Sequence, residues 1–504
     1  MNRTKNASRN IIFGIFQKLY LIIGSFITRT IMIYCIGVEY LGLNNLFASV
    51  IQVLSITEMG IGTAMTVSMY KPIAENDDDT VCALLKLYKI YYRVIGGIIA
   101  VIGILIMPFI PRLIAGSVPS DINIYVLYML NLSSTVISYW LFAYKRSLLE
   151  AHQRNDVISK ITMITTTISL AIQFIVLFVF RNYYGYVITL FFIQALTNIM
   201  TAITATKMYP RFQSKGDIAK DKRDEINKKI KALFTAKLGY VVNESVDTIV
   251  ISAFLGLVPL AIYNNYYYIM NSVQGFIFIV FNSITAGIGN SLVIESKEKN
   301  FDDLKKLTFI IFFLTLVCSC CFLNMYQPFM EVWVGTDLML PYSYVIMIML
   351  LFFVKTVKRI WVVYKDAAGI WREDQYRPLI CAGVNLCLNI ILVKHIGLAG
   401  ILISTIVSEI CISFPWILKN LFTYVLKVES KSYLLKLLFY TMEGCFCCLI
   451  TVWLCNQVSV NSILQLFING VISVVVSLSF FSIFNFKSIE FKESYSLIKR
   501  MCKR

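Results

Sequence analysis

Histidine is almost missing from this chain: His152 and His395 are the only two in 504 residues. They fall at opposite ends of the apolar runs, so no histidine-based catalytic centre can be assembled from them. Charge is scarce too, at 15% of residues, and 29 acidic residues face 46 basic ones. There is no phosphate-binding P-loop sequence, which excludes nucleotide hydrolysis as the energy source. No connection is long enough for a separate catalytic domain; the longest, 209–229, is dense in Lys and Asp. Cys318, Cys320 and Cys321 lie in an apolar run without a nearby histidine, so they read as small packing residues rather than metal ligands. The first apolar run is too long for a signal-peptide core and no small-residue cleavage site follows it, so it is expected to remain as a helix.

Apolar sequence is what the chain has in excess, 58% of residues. About fourteen runs approach the roughly 20 residues that a bilayer requires. They are expected near 11–37, 43–69, 90–112, 122–144, 157–180, 184–206, 231–255, 260–290, 306–327, 341–363, 378–394, 398–418, 433–455 and 463–485. Lys and Arg gather in alternate connections, for example at Lys145–Arg146, 207–231 and 419–436, and in the tail at Lys499, Arg500, Lys503 and Arg504. The intervening connections hold little more than Arg112, Arg181 and Lys394. The positive-inside rule then places both termini and 209–229 in the cytoplasm. The net charge of +17 reads as this topology signal and as attraction to anionic membrane lipids, with no nucleic-acid partner. Ile218, Ile226, Ile230 and Leu233 recur at roughly helical spacing, so 209–229 is expected to be a basic amphipathic cytoplasmic helix that lies on the headgroups and joins the two six-span halves.

Short sequences recur in order. Leu41-Gly42-Leu43 is echoed by Leu255-Gly256-Leu257, Gly60-Ile61-Gly62 by Gly287-Ile288-Gly289, and Asp77-Asp78-Asp79 by Asp302-Asp303. Lys145-Arg146 and Asn155-Asp156 have echoes in Lys358-Arg359 and Glu373-Asp374. An even number of spans per half inserts both halves the same way up, giving parallel repeats. The expected architecture is an all-α polytopic membrane protein. It has an N-lobe of six spans (1–208), the linker (209–229), a C-lobe of six spans (230–425) and two appended spans with a basic tail (426–504). Two such lobes enclose a central cavity and can rock against each other, as in transporters.

Polar residues at membrane depth cost at least about 2.5–3.5 kcal/mol each when charged, so they mark cavities or internal pairs. Lys18, Ser25 and Arg29 lie within about 40° of one another on the first span. Glu58 sits in the second. Lys237, Tyr240, Glu244 and Asp247 share a face of the seventh, and Tyr268, Asn271 and Asn282 a face of the eighth. These stripes either line a cavity or lock helices to one another. Glu409 and Glu443 read as packing residues or members of internal pairs. Lys355, Lys358 and Arg359 are expected to snorkel to the cytoplasmic surface.

Three segments carry a family likeness. They are Tyr40-Leu41-Gly42-Leu43 through Glu58-Met59-Gly60-Ile61-Gly62; Tyr144-Lys145-Arg146-Ser147-Leu148-Leu149-Glu150-Ala151-His152-Gln153-Arg154; and Asn243-Glu244-Ser245-Val246-Asp247 with Phe254-Leu255-Gly256 and Tyr263. The chain resembles the O-antigen and capsule repeat-unit flippases of the multidrug/oligosaccharidyl-lipid/polysaccharide exporter (MOP) superfamily. That resemblance implies a non-enzymatic carrier in a bacterial cytoplasmic membrane, moving undecaprenyl-pyrophosphate-linked oligosaccharide to the outer leaflet. Its partners would be the lipid-linked substrate, membrane lipids, and a polymerase and glycosyltransferases. Arg29, Lys18 and Lys237 become pyrophosphate candidates, and Tyr240, Tyr268, Asn271 and Asn282 sugar contacts. With no cofactor expected, Glu58, Glu244 and Asp247 are the candidates for coupling to H+ or Na+. An ion-coupled exporter of small cations shares this architecture and stays open. A membrane glycosyltransferase or polymerase would need a catalytic loop that the connections do not offer.

Overall fold

Every regular element among the described residues is helical. The computed structural model describes residues 3–58, 60–458 and 462–502; Met59, Lys503 and Arg504 lie outside them. Packing divides the chain into two compact units, Met1–Ala261 and Ile262–Arg504. The division falls inside a helix rather than at the 209–229 linker.

Unit 1 contains α1 (Arg3–Cys35), α2 (Val38–Leu54), α3 (Ile61–Glu75), α4 (Asp78–Ile106), α5 (Ile124–Trp140), α6 (Arg146–Ala151), α7 (Asn155–Phe178), α8 (Tyr183–Met208) and α9 (Lys220–Leu255). The chain then passes through α10 (Leu257–Ser283) into unit 2. There follow α11 (Thr285–Ile294), α12 (Lys297–Val334), α13 (Tyr342–Ala368), α14 (Trp371–Asp374), α15 (Arg377–Ile396), α16 (Leu398–Ser408), α17 (Phe414–Asn420), α18 (Lys431–Cys455), α19 (Ser462–Asn485) and α20 (Ile489–Cys502). Leu43, Leu46, Met65 and Leu85 are fully buried in unit 1, and Ile348, Leu351, Phe352 and Ile360 in unit 2. On the outside, Phe192, Leu449 and Phe467 are 64%, 68% and 72% exposed. Apolar exposure of this kind marks a surface solvated by lipid rather than water.

Eleven helices among the described residues are long and apolar enough to cross a membrane, and a bent pair, Ile124–Trp140 with Ala143–Ala151, makes twelve. The chain is therefore a multi-pass membrane protein. Two of the fourteen expected spans do not reach that standard, each for a physical reason. The second is broken: α2 has 17 residues and is separated from α3 by a turn. The tenth, α13, carries Lys355, Lys358 and Arg359 in its second half. The linker differs from expectation as well. Residues 220–229 do not form a separate surface helix but open the 36-residue α9, which runs on into the seventh span without a breaker. Residues 211–217 are instead pinned to the start of α4, through Arg211 with Asp78 (3.4 Å) and Lys86 with Asp217 (2.9 Å). The Leu233 side chain lies outside the description.

Helix ends reveal the register of the internal repeat. Gly37 (φ 119°) separates α1 from α2, and Gly256 (φ 95°) separates α9 from α10. Positive φ is where glycine is favoured, so each breaks its helix for the same reason. Asp77 caps α4 by accepting from the Thr80 N–H (2.9 Å), and Ser296 caps α12 by accepting from the Lys299 N–H (3.2 Å). Both pairs stand 219 residues apart, as do the first residues of α2 and α10 and the last of α3 and α11. Gly42 is thus not the counterpart of Gly256. It lies inside α2, where a Cβ would come within 2.3 Å of the Leu257 carbonyl oxygen; its role is close helix packing.

Candidate functional site

The break in the second span builds the centre of unit 1. After α2 the chain makes one 3₁₀ turn, Ser55–Glu58, and restarts at Ile61 beyond Gly60, which is left-handed (φ 102°). Glu58 therefore projects from an interruption in the helix. Discontinuous helices at membrane depth recur at transport sites because freed polar groups need a cavity or a partner. The Tyr92 hydroxyl donates to Glu58 Oε1 (2.6 Å) and the Tyr139 hydroxyl to Oε2 (2.9 Å). The Tyr88 hydroxyl donates in turn to that of Tyr92 (2.7 Å). Tyr88 and Tyr92 are one turn apart on α4, their rings edge to face at 4.4 Å. Tyr139 stands just before the 49° bend at which Phe142 adopts φ 58°.

Glu58 and these tyrosines line a cavity of about 810 Å³ within unit 1. Amide side chains line it from three further helices: Gln17 on α1, Asn155 on α7, and Gln194 and Asn198 on α8. Arg146 and Glu150 contribute from α6; the Arg146 Nε donates to Glu150 Oε1 (2.9 Å) and the Thr66 hydroxyl to Oε2 (3.3 Å). Val67 and Tyr70 line the cavity while remaining 48% and 45% exposed, so it opens beside them.

Other sequence candidates distribute around this site. The Lys237 ammonium donates to Thr63 Oγ1 (3.5 Å), a lining residue, which brings α9 to the cavity wall. Lys18 is exposed beside the lining residue Gln17. Arg29 is half-buried and donates to Asn45 Oδ1 (3.2 Å). Asp247 is buried and Glu244 half-buried on α9, whereas Tyr240 is 63% exposed. Tyr268 and Asn271 are half-buried in unit 2. Asn282, read as a sugar contact, accepts from the Arg359 Nε (3.0 Å). Sequence reasoning missed Tyr88, Tyr92, Tyr139, Gln194 and Asn198. The four-residue spacing of Tyr88 and Tyr92 was the available signal.

Unit 2 carries a buried ionic cluster instead. The Lys358 ammonium meets Glu409 Oε2 at 2.5 Å and Ser413 Oγ at 3.4 Å. Arg377 donates through Nη1 to the same Ser413 (2.7 Å) and grips Asp374 with Nε and Nη2 (2.6 and 2.9 Å). Lys365 completes the chain at Asp374 Oδ2 (3.3 Å). Lys358 does not snorkel to the surface, contrary to the expectation from sequence; a carboxylate inside the bundle holds it. Lys355 donates to the Tyr267 hydroxyl (2.8 Å). Glu409–Ser413 form a π-helical stretch between α16 and α17, a widening of the helix that recurs at functional sites. Glu409 thus belongs to an internal pair, while Glu443 accepts both of its hydrogen bonds from Asn485 (2.7 and 3.0 Å), joining α18 to α19.

A family model described as polysaccharide biosynthesis protein matches residues 7–284, more than half of the chain. The chain belongs to that family. A search of the curated proteins finds no match. Among solved structures, the lipid II flippase MurJ in an inward closed conformation is similar at 16% identity and TM-score 0.70, covering 94% of this chain and 98% of its own. An inward-facing multidrug resistance MATE transporter of the MOP superfamily is similar at 14% identity and TM-score 0.65, over 80% and 93%. The Vibrio cholerae MATE transporter VcmN follows at 16% and TM-score 0.57, over 84% and 98%. This member of the polysaccharide biosynthesis family therefore has the all-helical fold of MOP-superfamily transporters and flippases.

Proposed function

We propose that the protein is a flippase for lipid-linked oligosaccharide. It moves undecaprenyl-pyrophosphate-linked repeat units from the cytoplasmic to the outer leaflet by alternating access, supplying cell-surface polysaccharide synthesis. Both termini face the cytoplasm, and polymerase and glycosyltransferases act on either side of it. The observation that carries this reading is a polar cavity, centred on a carboxylate at a broken helix, inside a lipid-exposed bundle of the polysaccharide biosynthesis family. Sugars and pyrophosphate cannot cross hydrocarbon unaided; a hydrated interior accepts them while the prenyl tail stays in lipid. Arg29 suits pyrophosphate through its planar fork, with Lys18 and Lys237 as point charges. Glu58 is the coupling group for H+ or Na+, with Glu244 and Asp247 as further carboxylates on α9. The flipping of lipid II by MurJ is the matching activity among the similar structures.

One observation favours a second reading, export of small cations: Glu58 and Glu150 line the cavity against a single arginine, Arg146. The test is reconstitution in liposomes. Prenyl-linked glycan made accessible in the outer leaflet by the protein, but not by Arg29→Ala, supports the flippase. Efflux of a cationic dye without movement of the glycan lipid replaces it with the exporter.

A further inference from the structure

Unit 2 holds a second cavity, away from its buried ionic cluster, where α17 gives way to α18. A π-helical stretch, Leu421–Leu426, carries α17 on to Lys427, which adopts φ 55° and closes the helix. The connection 427–430 stands between the apolar helices Leu398–Leu426 and Lys431–Cys455, and so at a membrane boundary. A cavity of about 720 Å³ opens there. Its apolar wall includes Phe414, Leu418, Phe422 and Leu434. The aromatic part of that wall is braced from behind. Phe422 packs on Tyr433 (ring centroids 5.3 Å) and Phe414 on Trp361 (4.8 Å), and Trp361 Nε1 donates to the Tyr433 hydroxyl (2.6 Å). From Leu434 the surface continues down α18 as Leu435, Phe439, Met442, Phe446 and Leu449, all exposed and spaced by four and three residues on one helix face.

The polar lining of this cavity is cationic. Lys419 and Lys431 face it from its two helices, with Thr423, Ser430 and the single acid Glu429. Lys358, Lys365 and Lys436 of the same unit each meet a carboxylate, whereas Lys419 and Lys431 have no such partner among the described residues. Ser430 precedes the 25-residue α18 without making a side-chain cap, which leaves its hydroxyl and the first N–H groups of the helix to an anion. Basic pockets between spans, beside an apolar helix face, suit an amphiphile with an anionic head. Two ammoniums against one carboxylate leave one positive charge in excess. That balances a phosphodiester; a pyrophosphate brings more negative charge than these groups offset. We infer that the cavity is a binding site for an anionic phospholipid, its phosphate held by Lys419 and Lys431 and its acyl chains laid along the apolar stripe of α18. The site lies apart from the unit 1 cavity and joins the end of the C-lobe to the first appended span.

The experiment measures, by native mass spectrometry of the purified full-length protein in detergent, the binding of phosphatidylglycerol and of phosphatidylethanolamine with the same acyl chains. Wild type is expected to prefer phosphatidylglycerol by about tenfold, the scale of one to two lysines near a lipid phosphate. Lys419→Gln combined with Lys431→Gln should remove the preference. Glu429→Gln should raise it several-fold, because it takes away the one opposing charge. Lys487→Gln, which alters an exposed lysine outside the cavity, should leave it unchanged. If the double variant folds poorly, as a shifted thermal transition would show, the rise in Glu429→Gln decides alone. A preference that survives the double variant, or that does not rise in Glu429→Gln, overturns the site. An equal loss in Lys487→Gln also overturns it, since the preference then belongs to the basic surface in general. Undecaprenyl pyrophosphate serves as a third probe: binding of it that falls in the double variant assigns the cavity to the carrier lipid and overturns the phospholipid.

Discussion

Lys358 holds in unit 2 the repeat position that Tyr139 holds in unit 1, and each turns its polar end to a carboxylate: Lys358 to Glu409 at 2.5 Å, Tyr139 to Glu58 at 2.9 Å. The donors differ in kind. An ammonium neutralises its partner permanently, whereas a phenol leaves the carboxylate free to exchange its counter-charge. On the proposed function, this difference gives the Glu409 pair a fixed role and Glu58 a working one.

Glu58→Gln should therefore lower transport by about tenfold or more while leaving membrane protein level unchanged, since an amide still accepts from one tyrosine. Tyr139→Phe and Tyr92→Phe should each show a smaller loss. Transport into liposomes under an imposed proton or sodium gradient, alongside quantitative blotting, checks this. A Glu58→Gln protein that responds fully to the gradient removes Glu58 from coupling.

For the unit 2 cluster the expected pattern is the opposite. Glu409→Ala leaves the Lys358 ammonium buried without its carboxylate and should destabilise by about 3–5 kcal/mol, whereas replacing both with Met and Leu should be close to neutral. Thermal unfolding in detergent reads both. Glycan transport by the double variant should persist.

Gly42→Ala should destabilise by about 1–3 kcal/mol, because the added methyl meets backbone at 2.3 Å rather than a side chain that can turn away. Gly287, with nothing within 4 Å of its Cβ position, should tolerate the same change. Parallel melting curves of the two variants check the contrast.

Orientation is tested by Lys215→Cys and Ser120→Cys in a cysteine-free background. An impermeant thiol reagent added to intact cells should label Cys at 120 and not at 215. The reverse pattern inverts the topology.

Much of this was legible in the sequence because bilayers impose a simple rule on composition. The all-helical class, the multi-pass character and Glu58 as an acid in an apolar run followed from it. The tyrosines that hold Glu58 were not legible: the chain has 29 tyrosines, and which of them meet depends on the bend after Trp140 and the break before Ile61. The repeat was visible but misregistered, because Leu-Gly-Leu recurs as letters while the positive φ shared by Gly37 and Gly256 does not show in letters. Lys358 read as a snorkelling residue because its partner Glu409 is 51 residues away. Distant pairing on neighbouring helices leaves no local pattern.

The spacing of 219 has an evolutionary meaning. It holds from Gly37 to Gly116, whose counterpart is Gly335, through connections, caps and breaks alike; past the bend after Trp140 the spacing falls to 216, as Gln153 with Gly369 and Arg181 with Gly397 show. If the halves arose by duplication of a six-helix ancestor, neither copy has on balance gained or lost a residue between Gly37 and Gly116. Divergence there proceeded by exchange of side chains on an inherited backbone plan. Two copies that need not bind the same thing are free to specialise: one could become ballast, its interior welded by ion pairs, while the other kept an interior that a passenger can enter.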